Sequence, residues 1–211
     1  LAEGGTTASY GTIKQCRESF DVLLYPIIRP RGGDFLYTTD EVEIMKLDIR
    51  LCKELGCDGI VIGLLNKEGD IDLVRTAALV ELAYPMGVTF HRAFDRCKEP
   101  FEALEQLIEV GCERILTSGQ KPSIGDGVDL VAKLNKIADE RIIIMPGSGL
   151  RKENIKMIAK KTGCVEFHSS LRGKGKSNMQ FVHPAFATSE ESYMNNAIDP
   201  HEVRLLRDAL G

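Results

Sequence analysis

The 211-residue sequence predicts an α/β fold, specifically a (β/α)8 barrel of the TIM type. Short apolar, β-branched runs alternate with longer segments of helical period, which is typical of βα units that build a parallel sheet. A Gly-Cys pair recurs at three predicted helix-to-strand junctions, at intervals that fit two βα units each. No strand leads into the G-x-G-x-x-G loop of a doubly wound sheet, so a barrel is favoured over that alternative.

The predicted strands are short runs rich in Ile, Val and Leu. They span residues 22–29, 59–64, 87–91, 114–117, 141–145 and 165–168. Six strands cannot close an eight-stranded barrel, and residues 1–7 resemble a βα loop that leads into a helix. We therefore expect the chain to be one barrel domain over 1–211, holding strands three to eight and a C-terminal helix, with two strands missing upstream.

The most clearly marked helix begins at Thr38, where Thr38 and Glu41 form the pattern of a capping box. It continues with apolar residues at the spacing of one helix face. Further helices are predicted near 9–20, 73–82, 100–110, 128–138 and 152–161, and a last one begins at Asp199-Pro200.

The six cysteines form no C-x-x-C motif and no cluster, so free thiols are expected. Cys57, Cys112 and Cys164 each follow a glycine that suits a left-handed helix end. In a barrel this junction is the face remote from chemistry, so these thiols are interpreted as small core residues rather than metal ligands. Cys97 is not supported as a nucleophile, because no motif brings a base to it.

Composition excludes several classes of partner. The formal net charge is −4, and no block of basic residues forms an arm for nucleic acid. No apolar run approaches the roughly 18 residues of a membrane span, and the N-terminus has no signal-peptide pattern. We expect a cytoplasmic protein that binds neither nucleic acid nor membrane.

An anion-binding loop is predicted after the first strand. Arg29 and Arg31 share a face and are followed by Gly32-Gly33-Asp34, a pattern that suits contact with an anion. The alternative is that Arg29 pairs with Asp34 or another carboxylate and only braces the rim.

Polar side chains also end two other strands. His91 ends the 87–91 strand and Arg92 follows it, while Glu166 and His168 alternate on the 165–168 strand. Together with Arg29 they are candidates for proton transfer, with His91, Glu166 and His168 as acid and base, or for holding a divalent metal. They are alternatively a polar layer that satisfies itself.

A phosphate site is predicted between the last two strand-to-helix loops. Gly147 and Gly149 close the penultimate strand, where backbone N–H groups of barrels often meet an anion. Thr117 and Ser118 add hydroxyl groups on the neighbouring loop. The basic segment 172–177 is interpreted either as a lid or as a solvated loop.

Several motifs, in this order along the whole chain, resemble the CutC copper-homeostasis family. The pair R-P-R-G-G-D-F and F-H-R-A-F-D is the specific part of the match. The motifs are Glu3 to Thr7, Ile28 to Phe35, Thr89 to Asp95, Leu116 to Gly119, Met145 to Gly149 and Glu166 to His168.

The resemblance implies a (β/α)8 barrel, a cytosolic location that extends to the nucleus in animals, assembly into homodimers or homotetramers, and the binding or handling of Cu(I). The cysteines proposed for copper in the family lie on strands that precede residue 1, so no copper ligand is assigned here. Cu(I) prefers thiolates, whereas the predicted cavity offers arginines, including Arg31 and Arg92, and histidines. The rival prediction is an enzyme or binding protein for a small phosphorylated or carboxylated compound.

Overall fold

Four parallel strands form the main sheet. A computed structural model describes residues 5–186 and 194–210. The strands are β1 (Gly59–Ile62), β2 (Gly87–Phe90), β3 (Arg114–Thr117) and β4 (Ile143–Pro146), in the order β1-β2-β3-β4. In the register, Val61 pairs with Thr89 and Leu116 pairs with Met145. This sheet confirms the predicted α/β class with parallel βα units.

Helices separate consecutive strands of the sheet. The helices are α1 (Tyr10–Ser19), α2 (Thr39–Glu54), α3 (Leu73–Ala83), α4 (Pro100–Glu109), α5 (Ile124–Ala138), α6 (Ile155–Thr162) and α7 (Pro200–Asp208). The capping box of Thr38 and Glu41 is present, as predicted. Helix α5 begins earlier than predicted because Ser123 caps it. Within the described ranges, no helix has the length and hydropathy needed to cross a bilayer.

Two predicted strands are not regular strands in the structure. Residues 22–29 run beside β1, but Pro26 has no N–H, so only an isolated bridge forms, between Ile27 and Val61. Residues 165–168 contact the other edge through one bond, from His168 N to Pro146 O at 2.9 Å. Among the described residues, no backbone hydrogen bond joins these two segments, so closure into a barrel is not observed.

The predicted Gly-Cys junctions are confirmed. Gly56, Gly111 and Gly163 have φ values of 71°, 85° and 69°, which an L side chain rarely adopts. At the first junction the N–H of Cys57 donates to Cys52 O at 3.0 Å, the long bond of a Schellman motif. The three cysteines that follow the glycines are buried, as core residues should be.

The segment interpreted as a lid or solvated loop is instead a strand. Strand β5 (Arg172–Lys176) pairs antiparallel with β6 (Met194–Ile198). Its glycines and lysines lack the apolar alternation of a strand, and its partner lies about 20 residues away, so the sequence carries little local signal. Helix α7 begins after the Asp199 cap, as predicted.

Candidate functional site

One cavity of about 1230 Å³ lies on the inner side of the sheet and of the segments that flank it. Its lining follows the two-residue period of extended chains, since alternate residues point to the same face. The lining residues on extended segments are Tyr25, Ile27, Arg29, Val61, Thr89, His91, Arg114, Leu116, Met145, Glu166 and His168. The cavity therefore brings together most of the predicted site residues.

The cavity is strongly cationic, although the chain is acidic overall. Its cationic lining residues are Arg29, Arg92, Arg96, Arg114, Lys121, Arg151 and Arg172, against the two carboxylates of Asp95 and Glu166. The formal charge of the whole chain is −4. A cleft with one excess sign of charge focuses the field and attracts ligands of opposite sign. The lining therefore favours an anion over a metal cation.

Asp95 organises the rim of the cavity at the ends of β2 and β3. Its nearly buried carboxylate, 6% exposed, accepts a 2.7 Å bond from Arg92 Nε and a 2.5 Å bond from the Thr117 hydroxyl. The N–H and hydroxyl of Ser118 also donate to it. Thr117 and Ser118 are fully buried and are absent from the cavity wall. These two predicted ligand residues thus hold Asp95, while Arg92 reaches the cavity.

Glu166 lies with Arg114 rather than with the two histidines. Its carboxylate accepts bonds from Arg114 Nε at 2.6 Å and Nη2 at 3.3 Å. The hydrogen bonds to Glu166 raise the pKa of Arg114 further above its usual range. Because both of its carboxylate oxygens are engaged by one guanidinium, Glu166 is better suited to bracing the cavity wall than to proton transfer.

Arg29 and Arg31 have different surroundings. Arg29 is 3% exposed, lines the cavity, and donates to Gly5 O at 3.1 Å and to Gly33 O at 2.9 Å. Arg31 lies outside the cavity lining and is paired with Asp34 and Glu41 at 2.9 Å and 2.5 Å. The expected pairing with Asp34 is therefore made by Arg31, and Arg29 holds the 5–7 segment against the glycine turn.

His91 is a neutral imidazole of defined tautomer. The ring is 5% exposed, and its Nδ1 accepts a 3.0 Å bond from Ala93 N. The single proton of the neutral ring therefore sits on Nε2, which has no partner among the described residues. Burial, reinforced by the charge of Arg29, lowers the pKa of His91 to about 3. His91 is thus a hydrogen-bond donor and not a base that titrates near neutrality.

We expect His91 to make folding less favourable in mild acid. An unfolded histidine binds a proton below about pH 6.5, whereas folded His91 binds one only near pH 3. In this window the unfolded state takes up more protons than the folded state. The contribution of His91 therefore lowers the free energy of unfolding by about 1.4 kcal/mol for each unit by which the pH decreases. Denaturant titrations between pH 7 and pH 4 should show a shallower slope for His91→Asn.

The exposed His201 provides the control for that comparison. His201→Asn should leave the slope of stability against pH as it is in the original chain. An unchanged slope in His91→Asn would contradict the neutral, buried state of His91.

His168 lines the cavity near Arg172 and Arg92. Burial among the cavity walls, followed by the charges of Arg172 and Arg92, lowers the pKa of its imidazole. Two like charges nearby disfavour the imidazolium. His91 and His168 therefore both line the cavity as neutral rings near pH 7.

The 147–149 loop offers backbone donors at the cavity. Gly147 N donates to Thr117 O at 2.9 Å and is therefore unavailable to a ligand, unlike the prediction for this residue. Ser148 and Gly149 line the cavity with φ values of 72° and 80°. Ser148 is held there by its hydroxyl bond to Pro122 O at 2.8 Å. Within the described chain, the N–H groups of Ser148 and Gly149 have no acceptor.

The described residues do not suit a copper ion. Cys52 and Cys57 form a thiol pair, but burial raises the pKa of Cys52 to about 12 and also raises that of Cys57. Burial likewise raises the pKa of Cys97 and Cys112 to about 12. Copper binds the thiolate, which these sites disfavour. Over residues 5–186 and 194–210, no three or more His, Cys, Asp or Glu side chains are grouped for a metal.

Sequence reasoning missed several residues of the site. Asp95 was part of the F-H-R-A-F-D motif, yet only its neighbours were assigned roles. Arg96, Lys121 and Arg151 come from three different loops, and no local pattern predicts that they share a cavity. Phe35 makes cation–π contacts with the guanidinium groups of Arg29 and Arg96, which lie 5.1 Å and 5.3 Å from its ring centre.

Comparisons with known proteins agree on one family. The model of the CutC family matches residues 1–173. A CutC family protein of Chromobacterium violaceum is 46% identical over the whole chain and 86% of its own length. One of Parabacteroides distasonis is 55% identical over 86% of this chain and 75% of its own. A solved structure from Streptococcus agalactiae is named as that of a copper homeostasis protein, CutC. It is 34% identical to this chain, and its TM-score is 0.77 over 80% of this chain and 83% of the other. The chain therefore belongs to the CutC family.

Proposed function

We propose that the chain binds a small phosphorylated or carboxylated compound in the cavity. The observation that carries this proposal is the charge of the lining. Besides two carboxylates, it holds Arg96, Lys121 and Arg151, which form no ion pair with a described residue. Both carboxylates are already engaged by arginines, Asp95 by Arg92 and Glu166 by Arg114. An anion entering the cavity therefore meets excess positive charge that the protein does not neutralise with these acids.

The loop donors support the same proposal and indicate where the anion binds. The free N–H groups of Ser148 and Gly149 lie in the same cavity wall as the guanidinium of Arg151. Arg151 Nη1 is held by bonds to Leu150 O at 2.8 Å and Ser169 Oγ at 3.3 Å. Successive backbone N–H groups beside a fixed guanidinium suit phosphate or carboxylate oxygens.

We expect Arg151→Ala to weaken binding of inorganic phosphate by roughly 10- to 100-fold. A hydrogen bond between charged partners contributes about 1.5–3 kcal/mol, which corresponds to that range. Isothermal titration with phosphate, with a small dicarboxylate in parallel, measures the effect.

Arg50→Ala is the matched control for this measurement. It removes the same charge from an exposed position on α2 outside the cavity. Its affinity should remain that of the original chain. Absence of any binding in the original chain, or equal affinities in Arg151→Ala, would refute the proposed anion site.

We also propose that the sheet is part of a (β/α)8 barrel, in which residues 22–29 and 165–168 occupy two further strand positions. Backbone bonds tie the first segment to β1, through Ile28 N to Val61 O at 2.8 Å, and the second to β4. Both segments contribute side chains to the same cavity, as the strands of one barrel do.

Cytosolic handling of Cu(I) is the second candidate function, favoured by the name of the Streptococcus agalactiae relative. The buried, protonated thiols described above argue against a tight site within residues 5–186 and 194–210. We therefore propose that any role in copper homeostasis proceeds without a tight Cu(I) site formed by the described thiols.

We expect this chain to bind Cu(I) weakly and without fixed stoichiometry. Deprotonating a buried thiol costs free energy that a metal site must recover. Competition against a chromogenic Cu(I) chelator tests the expectation. Tight 1:1 binding that is lost in Cys52→Ala or Cys57→Ala would overturn it.

A further inference from the structure

Thr89 on β2 and His91 just after it line the cavity, and each has a side-chain polar atom without a protein partner. Thr89 is 2% exposed and His91 is 5% exposed, and both line the cavity. The hydroxyl of Thr89 forms no hydrogen bond with a described residue, and neither does Nε2 of His91. Buried polar atoms in native proteins are nearly always paired, so the unpartnered Nε2 of His91 calls for an explanation.

The two groups are held in place by the surrounding chain. Residues 89 and 91 are two apart at the end of β2, and both side chains project to the cavity side. Gly63 on the neighbouring segment leaves the space that the His91 ring occupies, because a Cβ there would overlap the ring. The bond from Ala93 N to Nδ1 fixes the ring orientation. A fixed donor with no partner is typical of a preorganised binding site.

We propose that Thr89 and His91 bind the uncharged oxygens of the ligand, and that the ligand is a phosphorylated sugar or polyol. This inference rests on the proposed anion site, which takes the phosphate. Thr89 donates and accepts through its hydroxyl, whereas neutral His91 donates through Nε2–H, so both suit hydroxyl or carbonyl oxygens.

The cavity has room for a ligand larger than phosphate. Its volume of about 1230 Å³ exceeds the roughly 300–1,000 Å³ of typical small-molecule sites. The lining offers polar groups of two kinds, since Arg151 supplies charge while Thr89 and neutral His91 supply uncharged polar atoms. A compound with one charged end and several neutral oxygens matches both kinds.

Comparing two probes, inorganic phosphate and D-ribose 5-phosphate, tests the inference by isothermal titration. We expect the original chain to bind ribose 5-phosphate about tenfold or more tightly than phosphate. Thr89→Val, which keeps the β-branched shape, should reduce this ratio of affinities by about five- to tenfold, because one neutral hydrogen bond is lost.

The matched control is Thr76→Val. Thr76 on α3 is fully buried and has an unpartnered hydroxyl, but it lies outside the cavity. The ratio of the two affinities in Thr76→Val should therefore equal that of the original chain. His91→Asn is a second variant, since Asn Oδ1 can still accept from Ala93 N while the distal donor is lost. It should also reduce the ratio.

The outcomes separate the two proposals. Equal affinity for both probes in the original chain, or an unchanged ratio in folded Thr89→Val, overturns this inference and leaves the anion site standing. Failure of both probes to bind overturns the proposed function and this inference with it.

Discussion

Gly127→Ala should destabilise the chain by about 3 kcal/mol or more. In the middle of a helix this change normally stabilises, by up to about 1 kcal/mol, because alanine has the higher helix propensity. Gly127 on α5, however, lies against the loop after β3. A Cβ there would overlap the carbonyl oxygen of Ser118 and lie 2.9 Å from the Cα of Gly119. Backbone atoms cannot rotate away, so overpacking dominates over propensity.

Gly125→Ala in the same helix is the internal control. The nearest atom to a Cβ at Gly125 is Ser123 Oγ at 3.6 Å, an ordinary contact. This variant should be stabilised by about 0.5–1 kcal/mol. Urea denaturation of both variants measures the difference. A Gly127→Ala protein as stable as Gly125→Ala would mean that α5 does not pack on the 118–119 loop as described.

Asp95→Ala should cost about 2–4 kcal/mol of stability, because each buried donor left without its acceptor costs about 1–3 kcal/mol and Arg92, 38% exposed, can be partly solvated instead. The change strands the Arg92 guanidinium and removes the acceptor for Thr117 Oγ1 and for the N–H groups of Ser118 and Gln120. The stability of Asp95→Asn should lie between those of the original chain and Asp95→Ala. Its amide oxygen can accept some of these hydrogen bonds, but its NH₂ group cannot accept from Arg92. Denaturant midpoints of the three proteins test this order.

Asp129→Asn provides the control for charge alone. Asp129 is exposed on α5, and its substitution should change stability by no more than about 0.5 kcal/mol. If Asp95→Ala were as mild as this surface change, the carboxylate would not organise the rim. A secondary consequence of losing Asp95 is weaker anion binding, since Arg92 would no longer be held at the cavity.

The elements that the sequence predicted well are those with local signals. The capping box at Thr38 placed the start of α2, and the glycines at 56, 111 and 163 placed helix ends that adopt positive φ. Strand β3 has the predicted bounds of Arg114–Thr117. Each of these signals depends on the conformational preferences of a few neighbouring residues.

Prediction was less successful where pairing decides the structure. Residues 22–29 and 165–168 have strand-like composition, but ladder formation depends on the partner and on the missing N–H of Pro26. Conversely, 172–176 has poor strand composition and pairs with a segment about 20 residues away. Register and partner are not encoded in a short window.

The sequence by itself determined the parallel α/β class, the membership of its motifs in one family, and the concentration of polar residues at strand ends. Only the tertiary structure decided which of those residues share the cavity. Arg31 turns to Asp34 and Glu41, Glu166 pairs with Arg114, and Arg151 joins from a distant loop. The physical reason is that charged side chains are long and pair with whatever opposite charge the fold brings near, so their roles depend on neighbours distant in sequence.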